Sequence, residues 1–571
     1  MCGIFGALVP RITNFDNLYS SGMLLKSRGP ERQRIYQTDK LFLMFQRLCI
    51  INKSNKGDGP FQYSNGNQTY FVLCNGEIYN YKNIKKSFRI KKQSNDTSYI
   101  FPLFNKFKRE LNASDEEAFK LLNQNITGSE YSIVIVKCID NIPVNMYLSV
   151  DTSSVRPLFY SFDGGKNTFY FSSLLKGLTN ITECNKPNIR RLDGGKMIKL
   201  SFDDKQNIQF SLSSYTDNLP YTFISNDINI VKKNIVTILI QSVEKRCQSD
   251  RELGCLLSGG LDSSLVASIA SHYMKTIGKK LRTFTIGMKN GTDLKYAKLV
   301  ADHIGSIHTE ILFTPEEGLA VLEHVIKTTE TYDITTIRAS VGQYLIGKWI
   351  SKNTNIKVLL NGDGADEIQC GYLYFHNAPT DKELHEESIK LIDNIHLYDG
   401  LRVDRCISNF GLEARVPFLD HDLVTMYRNI DPSLKKPYKG IEKYLIRQAF
   451  LEYDSNFLPE SVLWRTKEAF SDGVSTKEDS WYIMVKKYTE QFKTVDNNKV
   501  YNHVPPVSHE SRWFREVFEK EFGTDVAHVI PYYWLPNFVN STEPSGRELK
   551  IYNDLNGDSH GEFTSYYSYA K

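Results

Sequence analysis

The stretch "GCLLSGGLDSS" spans residues 254–264 and joins two kinds of local pattern. Its apolar start, "GCLL", is typical of a short buried strand, and residues 263–274 carry apolar side chains at helical spacing. Between these elements, Gly259 and Gly260 allow a sharp turn and a close approach to a ligand. Serine hydroxyls and the free N–H groups of the following helix then favour an anion. The stretch therefore predicts a strand, a phosphate-binding loop and a helix.

Asp262 lies inside this loop, where a carboxylate would repel a bound phosphate unless a cation separated the two. Mg²⁺ prefers carboxylate and phosphate oxygens as ligands, so the loop also predicts magnesium. It lacks the Gly-Lys-Ser/Thr ending of a Walker loop. It resembles instead the pyrophosphate loop of enzymes that cleave ATP to AMP and pyrophosphate. A Gly-Ser turn before a capped helix is the alternative.

Strand and helix patterns alternate after this loop, which predicts a doubly wound parallel sheet. One later strand runs into "NGDGADE" at residues 361–367. Because the carboxyl ends of parallel strands meet at one edge, this acidic turn should face the serine loop. Asp363, Asp366 and Glu367 could then hold Mg²⁺ or position a substrate. An ordinary acidic turn is the alternative. Beyond about residue 380 the pattern is mostly helical.

The first 200 or so residues have a different pattern, with short apolar or alternating runs separated by polar or Gly-rich turns. Such runs are typical of strands, and helical patterns such as residues 115–123 intervene. This half is therefore predicted to be a sheet-rich α+β layer structure. A polar, weakly patterned stretch ending near residue 226 is predicted to link it to the second half.

Composition excludes several function classes. The 571 residues carry 70 Lys and Arg against 66 Asp and Glu, a net charge of +4, and no dense basic block. The basic run at residues 85–92 is interpreted as a solvated face, so no nucleic acid is expected. No apolar stretch approaches the length of a membrane span. The 9 cysteines contain no C-x-x-C pair, which argues against zinc or a disulfide framework and for a reducing compartment.

The chain begins "MCGIFG", which places a cysteine directly after the start methionine. This could be an accident of the start site or a terminus that becomes buried. It could also be a nucleophile whose own free amine takes part in the chemistry.

With these residues, the chain resembles the glutamine-hydrolysing asparagine synthetases, which are class II amidotransferases with an N-terminal nucleophile. The resemblance covers nearly the whole length. In the first half it rests on "MCGIFG", "SRGP" (27–30), "QRLCIIN" (46–52), "NGEIYNY" (75–81), "SND" (94–96) and "VRPL" (155–158). In the second it rests on "LLSGGLDSS", "TYDITTIRAS" (331–340), "NGDGADE", "GYLYFHNAP" (371–379), "GLEARVPFLD" (411–420), "WRTKEAFSDG" (464–473) and "PSGRELKIY" (544–552).

The resemblance implies a fold and a domain plan. It implies an Ntn-hydrolase-like αββα glutaminase domain at 2–205 and a linker at 206–226. A doubly wound α/β ATP-pyrophosphatase domain with extra helices would follow at 227–525, and an irregular tail at 526–571.

The resemblance also implies an activity. Aspartate, glutamine and ATP would give asparagine, glutamate, AMP and pyrophosphate through β-aspartyl-AMP, with Mg²⁺ and no organic prosthetic group. Ammonia would pass through an internal tunnel. The expected enzyme is a cytoplasmic homodimer without nucleic-acid or membrane partners.

By resemblance, Cys2 attacks glutamine's amide once Met1 is removed, because its free α-amine can act as base near neutral pH. The Asn75 side chain and the Gly76 N–H would form an oxyanion hole. Arg47 would hold glutamine's α-carboxylate, and Glu77 and Asp96 its α-ammonium. Read alone, Arg47 could be a solvent-facing strand residue, and Asn75-Gly76 could be a type I′ hairpin turn.

The synthetase site is likewise assigned by resemblance. Arg338 and Lys467, read without their motifs, are more often surface charges. The assigned pyrophosphate-binding residues are Ser258, Gly259, Gly260, Leu261, Asp262 and Ser263. The nucleotide contacts are Leu257, Ile286, Asn361 and Gly362, and the Mg²⁺ ligands are Asp262 and Asp366. Thr335, Arg338, Asp363 and Glu367 would surround aspartate or the intermediate, with Lys467 as the cation beside the adenylate.

Four single positions depart from the family pattern, and the turn before "RPL" in "DTSSVRPL" lacks the usual Pro and Gly. Glu31 replaces an Asp, Gly59 a Gln, Leu174 a Glu, and Asp363 the Glu of a Gly-Glu-Gly turn. Two other functions fit the same scaffold. A β-lactam-synthetase-like cyclase would need no external ammonia, and Cys2 and "TYDITTIRAS" argue against it. A non-enzymatic homologue is disfavoured by the intact Cys2, Asn75, Asp262 and Lys467.

Overall fold

The computed structural model describes residues 1–216, 227–476, 479–492 and 499–555, which fold into two halves. No helix in these ranges combines the length and apolar character that crossing a lipid bilayer requires.

The first half contains two antiparallel sheets, each of six strands in the described residues. The apolar runs of the sequence form their central strands, and every residue of the first strand is buried. The strands are β1 (Gly3–Leu8), β2 (Arg32–Gln37), β3 (Leu41–Arg47), β4 (Phe61–Asn65), β5 (Gln68–Glu77), β6 (Glu130–Ile139), β7 (Ile142–Val150), β8 (Phe159–Asp163), β9 (Thr168–Ser172), β10 (Ile189–Arg191), β11 (Lys196–Phe202) and β12 (Ile208–Ser214). Their orders are β10-β8-β9-β1-β3-β2 and β12-β11-β7-β6-β5-β4.

The two sheets pack face to face. Ile4 and Leu43 of one sheet share a buried core with Phe71 and Val134 of the other, and helices cover the outer faces. These helices are α1 (Phe15–Met23), α2 (Tyr81–Ser87), α3 (Ile100–Glu110), α4 (Asp115–Asn125) and α5 (Leu175–Thr179). The predicted αββα layering is therefore confirmed.

The predicted linker at 206–226 is wrong in its first part. Strand β12 occupies residues 208–214 and pairs with β11 along its whole length. Residues 217–226 lie outside the described ranges. The polar strand was missed because it is an edge strand with little apolar alternation.

The second half contains a parallel sheet of five strands in the described residues, in the order β15-β14-β13-β16-β17. These strands are β13 (Glu252–Leu256), β14 (Arg282–Gly287), β15 (Ile307–Leu312), β16 (Ile356–Leu360) and β17 (Glu413–Arg415). The prediction of a doubly wound α/β fold is confirmed. The short β17 lies where the sequence predicts mainly helix.

Helices surround this sheet. The first are α6 (Ile228–Arg246), α7 (Leu261–Thr276), α8 (Thr292–Ile304), α9 (Pro315–Ala320), α10 (Leu322–Thr329), α11 (Ile334–Asn353), α12 (Ala365–Gln369), α13 (Asp381–Asp393) and α14 (Asp399–Ser408). The remainder are α15 (His421–Asn429), α16 (Pro432–Lys435), α17 (Tyr444–Tyr453), α18 (Glu460–Leu463), α19 (Phe470–Gly473), α20 (Trp481–Glu490), α21 (His509–Phe522) and α22 (Lys550–Leu555).

The halves are joined by buried ion pairs as well as apolar contacts. Glu130 of β6 forms ion pairs with Arg156 at 2.6 Å and with Arg246 of the second half at 2.8 Å. Arg28 pairs with Asp404 of the second half at 2.6 Å, and both side chains are buried. Each charge therefore has an opposite charge within hydrogen-bond distance, as burial demands.

In its described part, the tail predicted at 526–571 packs against the second half. Val526 and Ile530 are almost fully buried, and the chain continues across the second half to α22. Residues 556–571 lie outside the described ranges.

Candidate active sites

Cys2 stands directly before β1, at the edge where the two halves meet. Its Sγ lies 3.7 Å from the Leu48 carbonyl oxygen, and burial raises the pKa of its thiol to about 11. The Met1 α-amine donates to the Leu412 carbonyl at 3.1 Å, and burial lowers the pKa of that amine to about 5. A thiol with so high a pKa needs a base beside it before it can attack a substrate.

Asn75 and Gly76 lie near the end of β5 and pair with Ser132 and Tyr131 of β6. The hairpin-turn alternative is therefore wrong. Neither polar atom of the fully buried Asn75 side chain has a hydrogen-bond partner among the described residues. A Cβ at Gly76 would lie 2.1 Å from the Glu130 carbonyl oxygen, so only glycine fits. An unpaired buried amide of this kind marks a place where a ligand oxygen can bind.

Arg47 is buried rather than solvent-facing, so that alternative is wrong too. Its guanidinium donates to Asp58 Oδ1 at 2.6 Å and to the carbonyls of Ser54 and Asn52 at 2.7 and 2.5 Å. Arg47 thereby holds the loop that follows β3.

Glu77 and Asp96 form a buried pair of carboxylates. Burial and, after it, the negative charge of Asp96 raise the pKa of Glu77 well above its usual range. Burial also raises the pKa of Asp96, to about 6. Asp96 accepts the Ile78 N–H at 2.8 Å, and Arg415 of the second half lies 3.4 Å from Glu77. The negative charges of these two carboxyl groups repel each other, so the pair favours a bound cation such as an ammonium group.

The serine loop of the second half has the predicted form. The Ser258 N–H donates to Ser263 Oγ at 3.2 Å, and the two hydroxyls lie 3.0 Å apart. Helix α7 begins at Leu261, so its first N–H groups point into the loop. Gly259 has a φ of +75°, and a Cβ there would lie 2.4 Å from the Ala297 nitrogen. This backbone requires glycine.

A cavity of about 200 Å³ opens at the carboxyl ends of β13 and β16. The serine loop and the acidic turn face each other across it, as the sequence predicts. The predicted site residues that line it are Leu257, Ser258, Gly260, Leu261, Asp262, Ser263, Ile286, Thr335, Asn361, Gly362, Asp363, Asp366, Glu367 and Lys467.

Two lysines converge on the cavity's carboxylates. Lys443 Nζ lies 2.5 Å from Asp262 and 2.6 Å from Asp366, and Lys467 Nζ lies 2.6 Å from Asp366. Burial raises the pKa of Asp366, but Lys443 and Lys467 outweigh it and hold that pKa well below its usual range. Burial lowers the pKa of Lys467, and Asp366 and Asp262 outweigh it in turn. Asp366 and Lys467 are therefore both charged at neutral pH. Sequence reasoning missed Lys443, which belongs to none of the quoted motifs.

Asp262 and Asp366 are the carboxylates available to Mg²⁺, and both also bind the Lys443 ammonium. The Oδ1 atom of Asp262 is buried without a hydrogen-bond partner in the described part of the chain. No group of three or more metal-ligating side chains occurs among those residues. A cation here would thus take two carboxylates and complete its shell with phosphate oxygens, as Mg²⁺ commonly does.

The comparisons with known proteins follow the same division. Residues 1–199 match the glutamine amidotransferase domain family, and residues 234–383 and 377–523 match the asparagine synthase family. The asparagine synthetase [glutamine-hydrolyzing] of Gallus gallus is 37% identical, over 97% of this chain and 99% of the relative. The chain belongs to the glutamine-hydrolysing asparagine synthetases.

Two further members of the family illustrate its spread. The probable asparagine synthetase of Acanthamoeba polyphaga mimivirus is 37% identical, over 92% of this chain and 95% of the relative. The Homo sapiens asparagine synthetase is 36% identical, over 97% of this chain and 99% of the relative.

One residue assigned from the family motif does not reach the cavity. The Arg338 guanidinium donates from Nε to Glu510 at 2.8 Å and also pairs with Glu543, a residue of the tail. It does not line the cavity, and its place beside the intermediate stays a prediction. Arg338 instead ties α11 to α21 and to the tail.

Two of the departures from the asparagine synthetase pattern lie next to contacts between the halves. Glu31 accepts the Cys49 N–H at 2.6 Å and pairs with Arg251 at 2.8 Å. Next to Leu174, the backbone N–H of Leu175 donates to Glu330 of the second half at 2.9 Å.

Asp363, the fourth departure, is held on both carboxylate oxygens. Arg402 donates to Oδ1 at 2.7 Å and Gln343 to Oδ2 at 3.1 Å. Burial raises its pKa, while Arg402 opposes that change. The Tyr372 hydroxyl oxygen lies 2.9 Å from both Glu367 and Asp399 and donates its one proton to either of them, which extends the network across the cavity.

Proposed function

We propose that this asparagine synthetase converts aspartate to asparagine with ATP, using ammonia released from glutamine at Cys2. The observation that carries the proposal is the pairing of two complementary sites in one chain. The first half has a cysteine before its first strand and an unpaired buried amide, and the second has a phosphate loop facing paired carboxylates and lysines.

The first step activates aspartate, because its carboxylate has no leaving group that ammonia can displace. A β-carboxylate oxygen attacks the α-phosphorus of ATP, pyrophosphate departs, and β-aspartyl-AMP forms. Ser258, Ser263 and the start of α7 bind the pyrophosphate. Lys467 offsets the negative charge that develops on the transferring group. Mg²⁺ held by Asp262 and Asp366 would neutralise the pyrophosphate when bound.

The second step releases ammonia. With Met1 removed, the Cys2 α-amine takes the thiol proton, and Sγ attacks glutamine's amide carbon. The Asn75 amide and the Gly76 N–H stabilise the oxyanion. Arg47 holds the α-carboxylate of glutamine, and Glu77 and Asp96 hold its α-ammonium. The C–N bond then breaks, the protonated α-amine gives its proton to the departing ammonia, and a thioester remains. Water hydrolyses the thioester to glutamate and restores the Cys2 thiol.

The third step joins the products. Ammonia crosses the interface between the halves through an internal tunnel and attacks the β-carbonyl carbon, which expels AMP. We assign the glutaminase to residues 2–214 and the synthetase to residues 227–552. A homodimer and a cytoplasmic location remain expectations drawn from the family.

Cys2→Ala tests the two-site mechanism. We expect loss of asparagine synthesis with glutamine and full synthesis with ammonium salt, because only the first route needs the thiol. Cys184→Ala, a buried cysteine in the same half, is the matched control and should retain both. Asparagine, AMP and pyrophosphate are measured together.

Equal amounts of asparagine, AMP and pyrophosphate are expected from the unchanged enzyme. Release of ADP and phosphate instead would contradict the adenylate. Loss of both nitrogen routes in Cys2→Ala would contradict the division of labour between the halves.

A further inference from the structure

The C-terminal segment, defined as residues 530–552, forms one wall of the synthetase cavity. Its sequence predicts an irregular tail, and the family motif "PSGRELKIY" at 544–552 has no assigned role in the reaction. Six of its residues line the cavity: Trp534, Pro536, Pro544, Gly546, Leu549 and Tyr552. Most of this surface is apolar, which suits a wall that excludes water.

Trp534 fastens the segment to the aspartate side of the cavity. Its backbone N–H donates to Asp333 Oδ1 at 2.7 Å, and its backbone carbonyl accepts a hydrogen bond from the Thr335 hydroxyl at 3.0 Å. Its ring packs edge-on against Tyr372, with 5.1 Å between the ring centres. Thr335 and Tyr372 both line the cavity, so Trp534 fixes the positions of two cavity residues.

Arg547 fastens the segment to the loop that carries Lys467. It donates to Glu468 at 2.6 Å, to the Asp472 carbonyl at 2.7 Å and to the Thr476 carbonyl at 2.6 Å. Glu468 follows Lys467 directly in the chain. The buried guanidinium therefore holds this loop in place. Its planar group donates several hydrogen bonds at once, and a lysine ammonium cannot make all of them.

The chemistry supplies a reason for such a wall. β-Aspartyl-AMP reacts with water as well as with ammonia. If a water oxygen attacks the β-carbonyl carbon, the bond to AMP breaks, and aspartate, AMP and a proton result. That reaction consumes ATP without forming asparagine, so an enzyme of this kind gains from keeping water out.

We propose that the C-terminal segment is the water-excluding wall of the adenylate site, and that Arg547 is a positioning residue for Lys467. The proposal rests on the function proposed above. It assigns to the segment a role in coupling ATP use to asparagine formation.

The test is the amount of pyrophosphate released per asparagine, with ammonium salt as nitrogen donor so that the glutaminase is bypassed. Trp534→Ala opens the wall, Arg547→Lys keeps the charge but loses the fork, and Lys550→Ala is an exposed control in the same segment. We expect a ratio of one for the unchanged enzyme and for Lys550→Ala. We expect a ratio raised at least about twofold for Trp534→Ala and Arg547→Lys.

A ratio that stays at one in both variants would overturn the proposal, even if their rates fall. Glutamine hydrolysis by the first half and the thermal midpoint report whether each variant is folded. If Arg547→Lys fails to fold, Trp534→Ala and its partner Trp534→Phe decide, since phenylalanine refills part of the wall and should restore the ratio. If the unchanged enzyme makes no asparagine at all, the proposed function has failed instead.

Discussion

Asp363 illustrates how one residue can depend on its neighbours in this enzyme. Its carboxylate is one methylene shorter than the glutamate usual in the family, yet Arg402 and Gln343 hold both of its oxygens. Arg402 also pairs with Asp399 at 3.0 Å. The side chain is thus fixed in place, which matters where a displacement of about 1 Å can affect the rate.

Asp363→Asn should remove the charge while keeping the size of the side chain. We expect the rate of ammonia-dependent synthesis to fall at least about tenfold, since Arg402 would then be left to Asp399 alone. Glutamine hydrolysis should change little. Asp302→Asn, on the exposed face of α8, is the control. Unchanged synthesis in Asp363→Asn would exclude Asp363 from the reaction.

The carboxylate pair in the glutamine site makes a prediction about pH. Burial raises the pKa of Asp96 to about 6, so below that pH the group is neutral and attracts an ammonium less strongly. KM for glutamine should therefore rise as the pH falls through about 6, while ammonia-dependent synthesis should not follow this profile. Asp96→Asn should raise KM at every pH and flatten the profile. An unchanged profile would contradict this assignment.

At the scale of elements, the decisive unit is β13, the serine loop and α7. Parallel pairing of β13 with β16 brings the serine loop and the acidic turn to one edge of the sheet. A Cβ at Gly362 would lie 2.8 Å from the Ser263 nitrogen, which shows how closely the two loops approach. Small residues are therefore needed on both sides.

Gly259→Ala tests this unit. The substitution strains a left-handed backbone and also places a Cβ against α8. We expect KM for ATP to rise at least about tenfold, because the loop must shift by a substantial part of 1 Å. Gly278→Ala is the matched control, since its φ is +70° but nothing lies within 4 Å of the added atom. It should cost about 1 to 2 kcal/mol of stability without changing KM. Equal effects on KM would contradict the role of the loop.

At the scale of the whole molecule, charged groups join the halves. Glu130 lies between Arg156 and Arg246, and all three side chains are fully buried. Burial raises the pKa of Glu130, but the two arginines outweigh it and lower that pKa below its usual value. This contribution to stability is present above the usual glutamate pKa and is lost as the pH falls through the lowered value.

Glu130→Gln should leave two buried arginines without their shared carboxylate. We expect the free energy of unfolding to fall by about 3 to 5 kcal/mol, measured by urea denaturation at neutral pH. Glu116→Gln breaks the largely solvent-exposed pair with Lys199 and should change stability by less than about 1 kcal/mol. Similar losses in the two variants would show that burial of the pair is unimportant.

The sequence by itself determined the two sheets, the parallel α/β core and most of the site. Cys2, Asn75, the serine loop and the acidic turn could be found because each belongs to a short motif with its own local pattern. Strand, turn and helix propensities act over a few neighbouring residues, so such patterns can be read directly.

Only the tertiary structure placed Lys443 between Asp262 and Asp366, Arg415 beside Glu77, and the C-terminal segment against the cavity. It also paired Arg338 with Glu510 and Glu543. These contacts join residues far apart in the chain, and an isolated lysine or an irregular aromatic stretch has no local pattern that names its partner. Burial decides them, because a charge removed from water must find an opposite charge wherever the fold brings one.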